Sequence, residues 1–345
     1  MFLFVARRLA WAGVLAFVIS LVTFILFFLI PNDAATLRVG RGSLARSLQT
    51  QFDLQGSPPQ QYAQFLEHIF TADFGRSTRT REDASRLVGK ALPVTASLVI
   101  GGTVMWLMIA FPIGILSALR PRSLLDKGTM VFVLIGVSAH PVWVSLMLSY
   151  FLGAQLHLFP VGDYCSFFAS GQERCGGAVD WAWHMVLPWF AFALLFAALY
   201  ARMLRASVIE TLDEDFVKVA YAKGAGTPRV LRGHVLKNAM LPVVAMLGMD
   251  LGIAFAGALF IESAFGLPGI GQLLYQSTLS RDLPVIMGIM LVVSLAIALS
   301  TVLADIAVSL LDPRIELRSG SSEQSAASVR RRRAQAPASV TSPTG

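Results

Sequence analysis

The charged residues that could do chemistry in this sequence gather in and around one stretch, "DFVKVAYAKGAG", at positions 215–226. Apolar residues recur every three or four positions over 207–222, which predicts a helix with one apolar and one charged face. Its first half is acidic, with Glu210, Asp213 and Glu214. A helix resting on lipid headgroups would instead carry an excess of Lys and Arg. We therefore predict that this helix docks against a protein partner.

Glycines follow the predicted helix. Gly224 and Gly226 end it, and Thr227-Pro228 opens another helical piece. Glycine adopts backbone conformations that other residues avoid, so Gly224 would permit a sharp turn or a close backbone approach.

Signatures of catalysis are missing from the sequence. The nearest fragment to a nucleotide-binding G-x-x-x-x-G-K-[ST] loop, Gly89-Lys90, is followed by alanine and lacks the earlier glycine. The five histidines are scattered and form no H-E-x-x-H motif. Ser138, in Gly136-Val137-Ser138-Ala139, lacks the second glycine of a serine-hydrolase elbow. We therefore expect no catalytic site, no metal site and no cofactor bound by this chain.

The elements that position these residues are membrane helices. The mean hydropathy of +0.65 is too apolar for the two soluble domains that 345 residues would otherwise allow. Charge-free runs reach the roughly 20 residues needed to cross a bilayer, whereas a β-barrel would show alternating segments of about ten. The sequence predicts an all-α polytopic membrane protein with six transmembrane helices. The predicted spans are 9–30, 91–119, 128–152, 183–204, 238–261 and 283–311.

The connecting segments differ in length and composition. A large external loop, 31–90, follows the first span and contains a predicted short surface helix at Pro59–Phe70. The tail from about residue 319 is rich in Ser, Ala, Arg and Pro and is predicted to be disordered. The remaining predicted segments are the N-terminus 1–8, external loops 153–182 and 262–282, the loop 205–237 and the tail 312–345.

Basic residues predict the orientation, because Lys and Arg in short connections tend to stay in the cytoplasm. They lie before the first span, between the second and third, throughout 205–237 and after the sixth. Both termini and the loop 205–237 are therefore predicted to be cytoplasmic. The net charge of +7 then reflects topology and attraction to the lipid surface, and we expect no nucleic-acid partner.

The two cysteines, Cys165 and Cys175, fall in the same predicted external loop. A disulfide between them can persist outside the cytoplasm, and two free thiols are the alternative. No histidine or further cysteine lies between them, which argues against a metal site there.

Polar residues within the predicted spans are few. Asp250 lies between Gly248 and Gly252, a small-residue spacing that lets another helix approach closely. A carboxylate within a membrane span must face protein or a water-filled cavity. Asp250 therefore either lines a pathway through the membrane or makes a structural hydrogen bond. Ser138 is a second, weaker pathway candidate and is otherwise a packing or backbone-bonding residue.

The segment "EDFVKVAYAKGAGTPRVLRGHVLKNAMLP" resembles the EAA-type coupling segment of permease subunits in binding-protein-dependent ABC importers of the dipeptide, oligopeptide and nickel group. Lys218, Val219 and Ala220 occupy the places of the family's Glu-Ala-Ala, and Gly224 matches its glycine.

Further matches follow in order along the chain. "DFGRS" at 73–77 is similar to the family's external G-D-L-G-R-S motif, and Pro93 with Thr95 to its P-a-T. Residues 138–143 resemble S-x-P-x-F/W, "FIESAFGLPGIGQLL" resembles F-x-E-T-V-F-x-x-P-G-L-G, and "LLDPRI" its closing motif. Asn32 departs from the glycine that is common in the family's P-G-D-P stretch.

The resemblance implies a type I ABC importer permease fold with its core at 91–311, in the cytoplasmic membrane of a prokaryote. It implies a second homologous permease subunit, two cytoplasmic ATPase subunits that hold ATP and Mg, and an extracytoplasmic solute-binding protein. The expected substrates are dipeptides or oligopeptides. The residues expected to contact the ATPase are Asp215, Phe216, Val219, Ala220, Ala222, Lys223, Gly224 and Ala225.

Other functions remain as alternatives. A nickel or other solute importer of the same group shares the motifs. An ion-driven secondary transporter would show internal repeats with broken helices, and no duplication is found among the six spans. An intramembrane enzyme would need a catalytic pair.

Overall fold

The computed structural model describes residues 2–29, 56–162, 164–167 and 176–311. Throughout these ranges the regular elements are helices. Five are long and apolar enough to cross a membrane, and a bent pair supplies a sixth candidate span. In chain order the helices are α1 (Phe2–Phe24), α2 (Pro58–Phe70), α3 (Ala84–Leu119), α4 (Leu124–Ser138), α5 (Pro141–Leu148), α6 (Ala178–Leu212), α7 (Asp215–Ala222), α8 (Thr227–Val230), α9 (Leu236–Phe265), α10 (Ile270–Ser280) and α11 (Leu283–Leu311).

Helices α3 and α6 form the centre of the bundle. Trp106 of α3 is fully buried and stacks on Phe196 of α6 with ring centroids 4.5 Å apart. Glycine allows the two backbones to approach, since a Cβ atom at Gly102 would lie 2.4 Å from Phe192 Cδ1. Close packing of this kind drives helix association in lipid, where apolar side chains gain little from leaving the solvent.

The small-residue spacing in α9 packs as the sequence predicts. A Cβ atom at Gly248 would lie 2.7 Å from Ala304 Cβ, and one at Gly252 would lie 3.0 Å from Ile297 Cγ2. These two glycines therefore bring α9 and α11 together.

The bundle has two distinct ends. Arg8 near the start of α1 pairs with Asp305 near the end of α11, with Nη1 and Oδ2 3.0 Å apart. The helix directions place the end of α6 and α7 at that same end. At the opposite end, α2 packs its aromatic face on α1, where Phe65 is buried with Phe24 and Phe28. The predicted surface helix is thus present, but it is attached to the bundle.

The predicted single span 128–152 is wrong in one respect, because two helices occupy it. Helices α4 and α5 meet at an angle of 109°, with Ala139 and His140 extended between them. Pro141 follows, and a proline disfavours helical backbone at the preceding residue. The bend therefore has a local cause in the sequence.

The helices also extend beyond the predicted span ends. Helix α3 begins at Ala84, inside the predicted loop 31–90, and α6 covers more than 183–204 at both ends. Helix α10 lies within the predicted loop 262–282. The length of an apolar segment reflects the thickness of the hydrocarbon core of the bilayer. A helix can continue beyond that segment wherever its backbone and packing allow. The predicted disordered tail lies outside the described residues.

A buried carboxylate holds α10 against the bundle. Glu262 is fully buried, and its Oε1 accepts a hydrogen bond of 2.6 Å from Thr95 Oγ1 of α3. Its Oε2 accepts from the backbone N–H groups of Gly271 at 2.7 Å and Gln272 at 3.2 Å. Thr95 Oγ1 in turn accepts from the N–H of Ile270 at 2.8 Å. Glu262 and Thr95 together cap the first turn of α10.

Glycines in "GLPGIG" make this cap possible. Gly266 has φ +66 and ends α9 in the left-handed conformation that glycine tolerates best. A Cβ atom at Gly271 would lie 2.5 Å from Leu259 Cα, so only glycine fits where α10 crosses α9.

The "DFGRS" segment docks at the same end. Asp282, 2% exposed, accepts hydrogen bonds from Ser77 Oγ and, at 3.1 Å, from Thr78 N. Phe74 is buried against Gly288, where a Cβ atom would lie 2.9 Å from its ring. The segment thereby connects the chain before α3 to the start of α11.

We predict that Glu262→Ala lowers the free energy of unfolding by about 2 kcal/mol or more, since it leaves buried donors without an acceptor. Thermal unfolding of the purified protein in lipid nanodiscs measures the effect. Glu67→Ala, at an exposed position of α2, is the matched control and should unfold like the wild type. Equal melting temperatures for both variants would contradict the capping role.

Candidate functional site

Helix α7 and the turn after it form a corner at the end of the bundle that carries Arg8 and Asp305. Val217 is the fully buried residue of α7 and belongs to the same core cluster as Leu204 and Val208 of α6. Val230 and Val235, just after the corner, are also fully buried in this cluster. Apolar contacts therefore hold the corner to the bundle on both sides.

The outer face of the corner is apolar and exposed. Phe216 is 40% exposed, Val219 51% and Tyr221 41%. Asp215, Ala222, Lys223 and Gly224 are exposed as well, whereas Ala220 and Ala225 are half-buried. The predicted ATPase-contact residues thus lie together on one small surface, which we call the α7 corner (residues 215–226).

The structure corrects the predicted continuous helix over 207–222, which is two helices. A continuous helix over 207–222 would turn Phe216 and Val219 towards the bundle with Val208. Instead α6 ends at Leu212, and the extended Glu214 separates it from α7. The break resets the helical register, so that Val217 faces the bundle and Phe216 and Val219 face outward.

Gly224 shapes the corner. Its φ of +79 is a left-handed conformation, and its N–H donates to Tyr221 O at 2.9 Å. Gly226, two residues later, has an ordinary φ of −69. A side chain at Gly224 would meet open space, so its backbone conformation and its exposed position, rather than crowding, favour glycine there.

The two pathway candidates lie in different surroundings. Asp250 is 9% exposed and accepts a hydrogen bond of 2.8 Å from Tyr200 Oη, between α6 and α9. This geometry is the structural hydrogen bond that the sequence allowed as an alternative. Ser138 is exposed at the end of α4, next to the bend. A pathway role for either residue stays a prediction.

The predicted disulfide falls partly outside the described residues. Cys165 is fully buried and disulfide-bonded, and its Sγ lies 3.3 Å from His184 Nδ1. Cys175 lies outside the described residues. In the part of the chain that the structure describes, no group of three His, Cys, Asp or Glu residues could hold a metal ion.

Three charged residues that hold the helices in place were not singled out from the sequence, and one of them, Glu262, lies at the opposite end of the bundle from the α7 corner. Asp126, Arg205 and Glu262 are charged residues at or near the ends of otherwise apolar segments, and each is largely withdrawn from solvent. Their position at or near the ends of apolar segments was the signal that the sequence offered, because a charge beside or within a membrane span is costly unless it is paired. The signal does not identify the partner, which comes from another helix.

Comparison with known families covers nearly the whole described chain. Residues 1–99 match the family described as the N-terminal part of the binding-protein-dependent transport system membrane component. Residues 110–317 match the family described as the binding-protein-dependent transport system inner membrane component.

Individual relatives are similar over their full length. A protein of Brucella abortus (strain 2308), named a putative peptide transport system permease, is 30% identical over 90% of this chain and 98% of its own length. A Bacillus subtilis (strain 168) protein, named an oligopeptide transport system permease, is 31% identical over 91% of this chain and 99% of its own length. With both family matches in chain order and the spans described above, the chain belongs to the inner-membrane components of binding-protein-dependent transport systems.

Proposed function

We propose that this chain is a permease subunit through which peptides are imported, driven by ATP hydrolysis in partner subunits. Peptide as the substrate is supported by the names of relatives that are similar from end to end. The observation that carries the mechanism is the α7 corner, an exposed apolar surface fixed to the bundle by Val217. The chain has no nucleotide-binding loop, so the energy must enter through such a contact.

The α7 corner has the character of a protein-docking surface. Phe216 and Val219, three residues apart on one face of α7, are exposed at an end of the bundle where charged residues indicate water, and Tyr221 is exposed on the same helix. Exposed apolar residues rimmed by charges are typical of interaction sites. The proposed occupant is one of two ATPase subunits, which would hold ATP and Mg. A second homologous permease and an extracytoplasmic solute-binding protein complete the proposed assembly.

The proposed orientation places the α7 corner and both termini in the cytoplasm. The Arg8–Asp305 pair joins the start of the first span to the end of the last. Basic residues predominate in the short connections at that end, as in cytoplasmic connections generally. The end that carries α2 and α10 then faces the solute-binding protein.

Movement at the corner would reach the bundle through α6. Only two residues, Asp213 and Glu214, separate α6 from α7, and Val217 packs in the same core as α6. Displacement of the docked ATPase would therefore move α6, and with it the helices that line a pathway between the two permease subunits. Selection among peptides would occur mainly in the solute-binding protein.

Peptide uptake tests the proposed function directly. In proteoliposomes containing the full assembly and its binding protein, we expect a labelled dipeptide or oligopeptide to accumulate only with ATP and Mg. Accumulation of nickel with no peptide uptake would contradict the substrate. Peptide uptake driven by an ion gradient without ATP would contradict the energy source.

Val219→Asp tests the docking surface. Placing a carboxylate without a partner in an apolar contact costs more than about 1.4 kcal/mol, so co-purified ATPase should fall about tenfold or more. Val179→Asp is the matched control, because Val179 is 82% exposed at the opposite end of α6. Equal ATPase recovery with both variants would show that the α7 corner is not the docking site.

Gly224→Ala tests the backbone of the corner. A left-handed conformation costs an L-residue about 1–2 kcal/mol, so we expect several-fold slower peptide uptake with normal amounts of protein in the membrane. Gly226→Ala, whose φ is ordinary, should transport at the wild-type rate. Gly224→Trp adds bulk to the exposed surface and should abolish transport or uncouple ATP hydrolysis. Wild-type uptake by Gly224→Trp would remove the coupling role.

A further inference from the structure

A buried ion pair lies near the α7 corner. Arg205 of α6 donates to Asp126, in the first turn of α4, through Nε to Oδ1 at 2.5 Å and through Nη2 to Oδ2 at 2.9 Å. The side chains are 20% and 9% exposed, respectively. A two-bond guanidinium–carboxylate contact fixes orientation as well as distance, which a single bond does not.

Asp126 also accepts hydrogen bonds from the end of α3 and from the turn that follows it. Ser117 Oγ donates to Oδ1 at 2.6 Å, and the N–H of Arg122 donates to Oδ2 at 2.9 Å. One carboxylate thereby connects α3, the turn after it, α4 and α6. Removing one charge of a largely buried ion pair leaves the other charge uncompensated, which costs more than losing a neutral hydrogen-bond partner such as the Ser117 hydroxyl.

Apolar packing between α3 and α4 is incomplete beside this pair. An open cleft of about 410 Å³ separates the two helices and is lined by apolar residues that include Leu116, Leu125 and Phe132. Helix α4 instead packs closely on α6, since a Cβ atom at Gly136 would lie 2.7 Å from Ala198 Cβ. The start of α4 is therefore positioned by the ion pair and its later part by α6.

The pair lies between the α7 corner and the bend. Helix α6 ends seven residues after Arg205. Its residues Leu204 and Val208, close to Arg205, belong to the same core cluster as Val217. On the other side, α4 runs from Asp126 to the extended residues Ala139 and His140. Displacement of α7 can thus pass along α6, through Arg205 and Asp126, to α4 and the bend.

We propose that the Asp126–Arg205 pair is a positioning contact that makes the bent third span follow the α7 corner, so that transport depends on ATP hydrolysis. This inference rests on the proposed docking of an ATPase at the corner. Neither residue need touch the substrate or the nucleotide. The pair sets how far α4 moves when α6 moves.

The test compares Arg205→Lys and Asp126→Asn with Ser117→Ala in the full assembly in proteoliposomes. Lysine keeps the charge but cannot make the two-bond contact, and Ser117→Ala removes a hydrogen bond while leaving the ion pair intact. The measured quantities are ATPase subunits retained, ATP hydrolysed and peptide taken up. We expect both pair variants to retain the ATPase and hydrolyse ATP, with peptide uptake per ATP at least about fivefold lower. Ser117→Ala should keep the wild-type ratio.

Each other outcome overturns the inference. An unchanged ratio in Arg205→Lys would show that the contact does not transmit movement. If the Asp126→Asn protein is absent from the membrane, the Arg205→Lys variant alone decides whether the contact transmits movement. If both variant proteins are absent, the pair is a purely structural contact. An equal fall in the ratio for Ser117→Ala would assign the effect to local packing. Absence of ATPase from the wild-type assembly would instead overturn the proposed function.

Discussion

A charge near the apolar interior must have a partner, and for both Asp126 and Glu262 one such partner comes from a helix that is distant in the sequence. Asp126 is paired with Arg205, and Glu262 with Thr95 and the backbone of α10. Leaving either carboxylate without its partners is unfavourable, and these contacts form only when the helices are correctly placed. They lie at opposite ends of the bundle, and the space between them is filled mainly by apolar packing, together with the Tyr200–Asp250 hydrogen bond.

The attachment of the α7 corner to the bundle would allow it to carry the mechanical work that we propose for it. Val217 and the valines after the corner hold it to the core, whereas Phe216 and Val219 remain 40% and 51% exposed. A surface that is rigidly attached on one side and uncovered on the other can transmit a displacement from a partner. The bend after Ser138 is the complementary feature, because a span broken by two extended residues can change its angle without losing its helices.

The sequence was a good guide wherever the bilayer or a local residue controls the backbone. Charge-free runs located the spans, and Gly224 with Thr227-Pro228 located the end of α7 and the start of α8. Helix ends were predicted poorly, because α3 and α6 continue past the apolar runs that predicted them and α10 is too short and polar to register as a span. The break at Glu214 was missed, since apolar spacing over 207–222 fits one helix as well as two.

The sequence by itself determined that the chain is a helical membrane protein, where its long apolar segments fall, and which family its motifs resemble, because hydrophobic length and local glycine and proline conformations are properties of short segments. Tertiary structure alone decided that Val217 rather than Phe216 faces the core, that Asp250 bonds to Tyr200, and that Asp126 meets Arg205. These contacts depend on which helices become neighbours. The energy of a buried polar group is set by the neighbouring helix that supplies its partner and not by the position of the residue in the chain.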